Sequence, residues 1–230
     1  MEMQRYSHFI FYLSLCLLSF SQNIIANTEI GVINEVTGTV FAKLPAEDRR
    51  DLSKGDQIYE SDLITTEAKS SVKLQLNDES QFDLGPDAKL LASKFKYKKN
   101  IEEDSVALKI LKGSFRFVSG LIAKNKPKAM EVETSVATIG IRGTHVVGEV
   151  AATSATIILM EPEDTTRKTA IVVSNNFGSV EIDEPGYGTE VPDEFSPPSP
   201  PRRMRLQTIN NLMRSLQSTQ RINIPRPRRP

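Results

Sequence analysis

Period-two alternation, in short runs separated by turn residues, governs what this chain can fold into. Residues 71–76 place Val72, Leu74 and Leu76 on one side and Lys73 and Gln75 on the other, and residues 80–84 repeat the pattern with Phe82 and Leu84. Residues 29–43, 106–111, 114–118, 130–136, 144–150, 155–160, 170–174 and 179–182 also read as strands. Side chains alternate across a strand, so such runs bury one face and wet the other. Between the runs stand Lys54-Gly55-Asp56, Asn77-Asp78-Glu79, Gly85-Pro86-Asp87, Lys112-Gly113, Asn175-Asn176 and Pro185-Gly186. Gly, Asn and Asp supply the backbone conformations of tight turns. Many short strands at roughly 8–12-residue spacing predict an all-β fold, either a sandwich (jelly-roll-like) or a β-roll. Three Gly-[Thr/Ser]-apolar triplets begin at Gly38, Gly113 and Gly178; their unequal separations read as similar turns rather than as a repeat.

The two ends differ from the body. Residues 1–8 form a polar start carrying Arg5, residues 9–20 are apolar apart from two serines, residues 21–23 are polar, and Ile24-Ile25-Ala26 precedes Asn27. This is the pattern of a secretory signal peptide over residues 1–26, cut after Ala26. Its apolar stretch is shorter than the roughly 20 residues needed to span a bilayer. A retained anchor and lipidation at Cys16 are the alternatives. The expected location is periplasmic or secreted. At the other end, residues 196–201 read Ser-Pro-Pro-Ser-Pro-Pro, a stretch that cannot join a sheet interior. The β body is therefore expected over residues 27–195, followed by a Pro/Arg-rich tail over 196–230. Within that tail, residues 204–216 predict a short amphipathic helix with Leu206, Ile209, Met213 and Leu216 on one face.

Charge separates along the same boundary. The segment from Ser196 onward has eight arginines and no acid, whereas residues 27–195 carry a net charge of −8. Arg202, Arg203, Arg205 and the apolar helix face are candidate contacts of the tail. The readings open to it are an anionic membrane surface or another envelope polymer, a groove on a partner, the chain's own acidic body, or simple solubilisation. Nucleic acid is not an expected partner of an exported chain.

Side-chain chemistry narrows the function classes. The chain has two histidines and one cysteine, and removal of residues 1–26 leaves no thiol and His145 alone. That excludes Cys-His catalysis and Cys-rich zinc sites. A single imidazole cannot complete a histidine metal site, and no Gly-x-Ser-x-Gly accompanies it. The acidic groups Glu161-Pro162-Glu163-Asp164 and Glu181, Asp183, Glu184 lack an Asp-x-Asp-x-Asp-Gly loop and read as solvated turns. No catalytic residue, cofactor or metal is expected; an enzyme working through carboxylates is the third-ranked reading.

The most distinctive stretch is Thr138-Ile139-Gly140-Ile141-Arg142-Gly143-Thr144. Two glycines bracket an arginine between apolar residues, which reads as a sheet corner pinned by Arg142. Gly140, Arg142, Gly143 and Thr144 are the candidate residues, either as a partner contact or as a structural pin that pairs with a carboxylate such as Glu133. This stretch resembles the signature of the FecR-type periplasmic domain family, named for the ferric-dicitrate regulator. Leu52-Ser53-Lys54-Gly55-Asp56-Gln57-Ile58, Asp62-Leu63-Ile64-Thr65-Thr66, the strand from Val72 to Leu76, Asp78, Ser80, Leu84-Gly85-Pro86 and Leu111-Lys112-Gly113-Ser114-Phe115 are similar to family segments in the same order. One departure is Glu79, where the family usually has glycine, which predicts a different turn there.

The resemblance spans roughly residues 30–190. It implies an all-β extracytoplasmic module with a role in signalling or protein contact and without catalysis. Only eight residues precede the apolar segment, so the family's sigma-factor-binding part is not carried over. The expected function is binding of an as yet unidentified envelope protein in signalling or assembly. A carbohydrate- or peptidoglycan-binding module is the alternative, weakened by the absence of tryptophan.

Overall fold

The computed structural model describes residues 27–96, 105–125, 130–162 and 169–217. The expected signal peptide and the last part of the tail lie outside these residues.

The fold is all-β, as the alternation predicts. One layer runs, by hydrogen-bonded neighbours, β4 (Gln57–Tyr59), β1 (Glu29–Thr37), β6 (Ser71–Leu76), β7 (Gln81–Leu84), β9 (Ser105–Val118), β12 (His145–Val150), β13 (Ala155–Met160), β16 (Tyr187–Val191) and β17 (Arg202–Arg203). The other runs β3 (Arg50–Asp51), β2 (Val40–Lys43), β5 (Leu63–Thr66), β8 (Lys89–Lys96), β9 again, β10 (Met130–Glu133), β11 (Thr138–Arg142), β14 (Ala170–Asn175) and β15 (Gly178–Ile182). Neighbours are antiparallel except β9 and β10, which are parallel. A short helix, α1 (Leu121–Asn125), follows β9, and α2 (Leu206–Leu216) closes the described chain.

β9 belongs to both layers. Its first half pairs with β8 and β10, and its second half pairs with β7 and β12. The sequence reads here as two strands with a turn at Lys112-Gly113; the structure instead bends one continuous strand. Gly113 makes the bend at φ +104°, where a Cβ would overlap Ala88. Gly38 likewise has a positive φ and breaks residues 29–43 into β1 and β2, one in each layer, whereas Gly178 does not. The three similar triplets are thus not structurally equivalent.

Between the layers lies a single core. Phe82, Phe115 and Phe117 are fully buried in it, with Phe82 at ring-centroid distances of 6.0 Å from Phe115 and 5.5 Å from Phe117. Offset and tilted aromatic pairs at this range add to the burial of their area.

The outer face of the first layer also needs cover. β12 and β13 carry adjacent apolar residues, so Val146 and Ile157 fill the core while Val147 and Ile158 point outward. Met204 and Leu212 pack over this outward pair, with Ile209 and Met213 beside them. The helix buries Leu212 and Leu216, while Leu206, expected on the packed face, is 76% exposed at its start. The packed stripe is therefore 209, 212, 213 and 216, a helical spacing shifted from the expected one.

Packing does not break at Ser196, where the body was expected to end. The Ser199 hydroxyl donates to the Glu190 carbonyl at 2.8 Å and accepts the Glu190 N–H at 2.9 Å. Pro198 is buried, and Arg202 and Arg203 extend the sheet as β17.

At Glu79 the expected change of turn does not occur. Glu79 adopts φ +69°, the left-handed region that the family's glycine would favour. Two substitutions test these backbone readings by urea unfolding. Gly113→Ala should lower stability by about 3 kcal/mol, from strain plus overlap with Ala88. Glu79→Gly should raise it by about 1 kcal/mol, because the left-handed penalty of an L residue is removed.

Candidate functional site

The signature stretch forms a corner between the layers. β11 lies in one layer and β12 in the other, and Gly143 joins them at φ +58°. Glycine is favoured there by the backbone itself, since nothing lies near its missing Cβ. Gly140 is different: it has no positive φ, and a Cβ would meet Val172 only at ordinary distance. Thr144 is buried, with its hydroxyl unpartnered among the described residues. Arg142 is exposed and pairs with Glu181 at 3.6 Å. Glu133, named as its expected carboxylate, instead pairs with Lys109 at 3.5 Å, opposite it on β9.

A charged row crosses the outer face of the first layer. In register stand Glu35, Lys73, Asp83, Arg116, Val147 and Ile158, so opposite charges alternate until the apolar pair under α2 begins. Lys73 lies 2.7 Å from Glu35 and Arg116 lies 3.1 Å from Asp83. Arg116 Nε also donates to His145 Nε2 at 2.8 Å, which makes His145 a cross-strand acceptor.

Three aspartates are buried: Asp62 and Asp78, which the sequence marks only as parts of family-like segments, and Asp83, which it does not mark. Asp62 receives Arg50 and the Tyr59 N–H, Asp83 receives Arg116, and Asp78 accepts the Ser80 N–H and hydroxyl and the Ile122 N–H. In each case burial pushes the carboxyl pKa above the usual carboxylate value, and the hydrogen bonds, with Arg50 at Asp62 and Arg116 at Asp83, only partly offset it. These groups hold hairpins and corners together. Among the described residues, no three acidic, histidine or cysteine side chains gather as metal ligands.

A groove at the end of the second layer has the features of a binding surface. It encloses about 390 Å³ between the turn joining β10 and β11, the β14–β15 hairpin and the chain at Glu194-Phe195. Phe177 is 52% and Phe195 70% exposed, and their rings meet edge to face at 6.3 Å and 72°. Each is held by the same local device. Asn175 Oδ1 accepts the Phe177 N–H at 2.9 Å, and Asp193 Oδ1 accepts the Phe195 N–H at 2.8 Å. Such Asx turns fix the backbone two residues on. Asn175 Nδ2 donates to the Ser196 carbonyl at 2.7 Å, which ties the two walls together. Glu133 and Glu194 line the groove, and among the described residues no lysine or arginine does. The sequence signal was present twice as Asn/Asp-x-Phe; what it lacked was any sign that the two copies meet.

The tail residues sit elsewhere. Arg202 pairs with Glu190 at 2.6 Å, while Arg203 and Arg205 are exposed and Ile209, Met213 and Leu216 face the first layer.

Comparison with known proteins bears on this arrangement. The family model described as "FecR protein" matches residues 62–161, from the start of β5 through β13 and including the Gly140–Thr144 corner. Residues 62–161 thus match the FecR family. Two crystal structures of a candidate anti-sigma factor from Parabacteroides distasonis, at 1.65 and 2.50 Å, are similar in fold. The first has 12% identity and a TM-score of 0.49, covering 66% of this chain and 64% of that one. The second has 10% identity and a TM-score of 0.50, covering 66% and 63%. The chain thus spans less than two thirds of their length, and at 10% identity the second likeness speaks to the fold alone. A search of curated proteins yields no match. Phe177 and Phe195 lie outside the FecR-matched segment.

Three substitutions test the site chemistry. The buried aspartates have folded pKa values above their unfolded ones, so their contribution to stability is full below about pH 3.8 and is lost as pH rises through the folded values. Wild type should therefore lose stability relative to Asp78→Asn as pH rises from about 4 to 7 in urea unfolding, and a relative gain would contradict the assignment. At the corner, Thr144→Val should be neutral or stabilising by up to about 1 kcal/mol. Arg142→Ala should change stability by about 0.5 kcal/mol or less, as befits an exposed pair.

Proposed function

We propose that this chain is an exported, non-enzymatic FecR-type module that binds a protein of the cell envelope in signalling or assembly. One observation carries the reading: two phenylalanines are held exposed, by paired Asx turns, over a groove on an otherwise well-packed body. Exposed aromatics on a pre-organised surface are the usual anchors of recognition, since little ordering remains to be done on binding. The FecR-type segment supplies the frame, and the reading of residues 1–26 as a signal peptide supports a periplasmic or secreted location.

Glycan binding is the second reading, because Asn175, Asn176 and Glu194 surround the same rings. It is disfavoured by ring geometry. Sugars stack on flat aromatic faces, and the 72° angle means one flat ligand can cover only one of the two rings.

The test is quantitative capture from solubilised envelopes of the producing bacterium, using the full chain and its Phe177→Ala/Phe195→Ala variant. The protein reading expects a discrete partner whose recovery falls at least about tenfold in the variant, a loss of roughly 1.4 kcal/mol or more. Arg142→Ala should retain it. Equal recovery by both chains, or retention on peptidoglycan instead of protein, would defeat the reading.

A further inference from the structure

The groove's chemistry also specifies a ligand class. Its exposed surface is aromatic, its charged lining residues are acids, and Glu194 has no ion-pair partner among the described residues. Such a site favours a segment combining proline rings, which pack on aromatic faces, with cationic side chains. A precedent stands beside it: Pro197 packs against Gly178, where a Cβ would come within 2.9 Å of the proline ring.

The chain itself contains such a segment. Residues 224–230 read Ile-Pro-Arg-Pro-Arg-Arg-Pro. We infer that the Phe177–Phe195 groove is a Pro-Arg peptide site whose resting occupant is this chain's own C-terminal segment. The inference rests on reading the groove as a docking surface, and it adds regulation: a partner must displace the tail.

Reach is sufficient. The carbonyl of Ser215, at the end of α2, lies 2.9 Å from where a Gly85 Cβ would stand. Gly85 N–H bonds to Ser114, Ser114 is opposite Glu149, and the Ala151 carbonyl accepts the Ser135 hydroxyl in the groove wall. Two strand spacings of about 4.8 Å and a few residues of about 3.4 Å place the helix end within roughly 20 Å of the groove. Thirteen residues follow Gln217, and an extended chain of that length spans about 40 Å. Tethering at such a distance gives a millimolar effective concentration, so even a weak site fills. Charge acts in the same direction, eight arginines in the tail against a net −8 on residues 27–195.

The chain has no tryptophan, so Phe195→Trp installs a single reporter in the groove. In the full chain, acrylamide quenching of Phe195→Trp should be at least about twofold weaker than in the same chain carrying Arg226→Glu, Arg228→Glu and Arg229→Glu, because the tethered tail is lost from the site. The protection should be independent of protein concentration and should vanish near 1 M salt. Equal quenching in the two chains would overturn the inference. Protection that grows with concentration would also overturn it, by placing a second copy's tail in the groove. The reporter and the envelope capture separate the two claims. Protection without a captured partner removes the proposed function alone, and capture without protection removes tail docking alone.

Discussion

The bend of β9 at Gly113 is the constraint on which the rest of the structure depends. A single strand hydrogen-bonded into both layers fixes their relative placement at one residue. Past the bend, Phe115 and Phe117 enter the core against Phe82, while Arg116 between them faces outward to Asp83. Alternation thus does two jobs on one strand. It packs the aromatic centre of the core and starts the charged row that runs up to the edge of α2.

How legible this was depended on the range of the interaction. Alternation within a strand is local, so β6, β7, β12 and β13 stand out from sequence. Pairing is not local. β9 looked like two strands because Lys112-Gly113 has turn composition, yet Gly113 bends the chain without ending its ladder. Arg142 meets Glu181 rather than Glu133 because β11 pairs with β14, and β14 in turn with β15, which puts Glu181 in register with Gly140 across Val172, two strands away and within reach of the long Arg142 side chain. The adjacent apolar residues of β12 and β13 signal burial on both faces. Taken with the amphipathic segment after residue 204, they identify α2 as the missing cover, with Leu212 rather than Leu206 facing inward. The groove was the least legible feature, since Phe177 and Phe195 meet only through the Asn175 link to Ser196.

The FecR-matched frame and the proposed recognition surface occupy different parts of the chain. The FecR-matched residues 62–161 supply the bent β9, the buried aspartates and the Gly143 corner. The exposed aromatic pair comes from the β14–β15 hairpin and the chain just before the prolines, outside that match. This division gives the distinctive signature a mainly architectural role.

Site-specific photocrosslinking in the producing cell tests this division most directly. A photoreactive residue replaces Phe195 in one full-length chain and Glu149, exposed on β12, in another. Adducts from position 195 should include an envelope protein, and those adducts should be absent from position 149. The same adducts from both positions, or none from position 195, would contradict a binding surface at the groove.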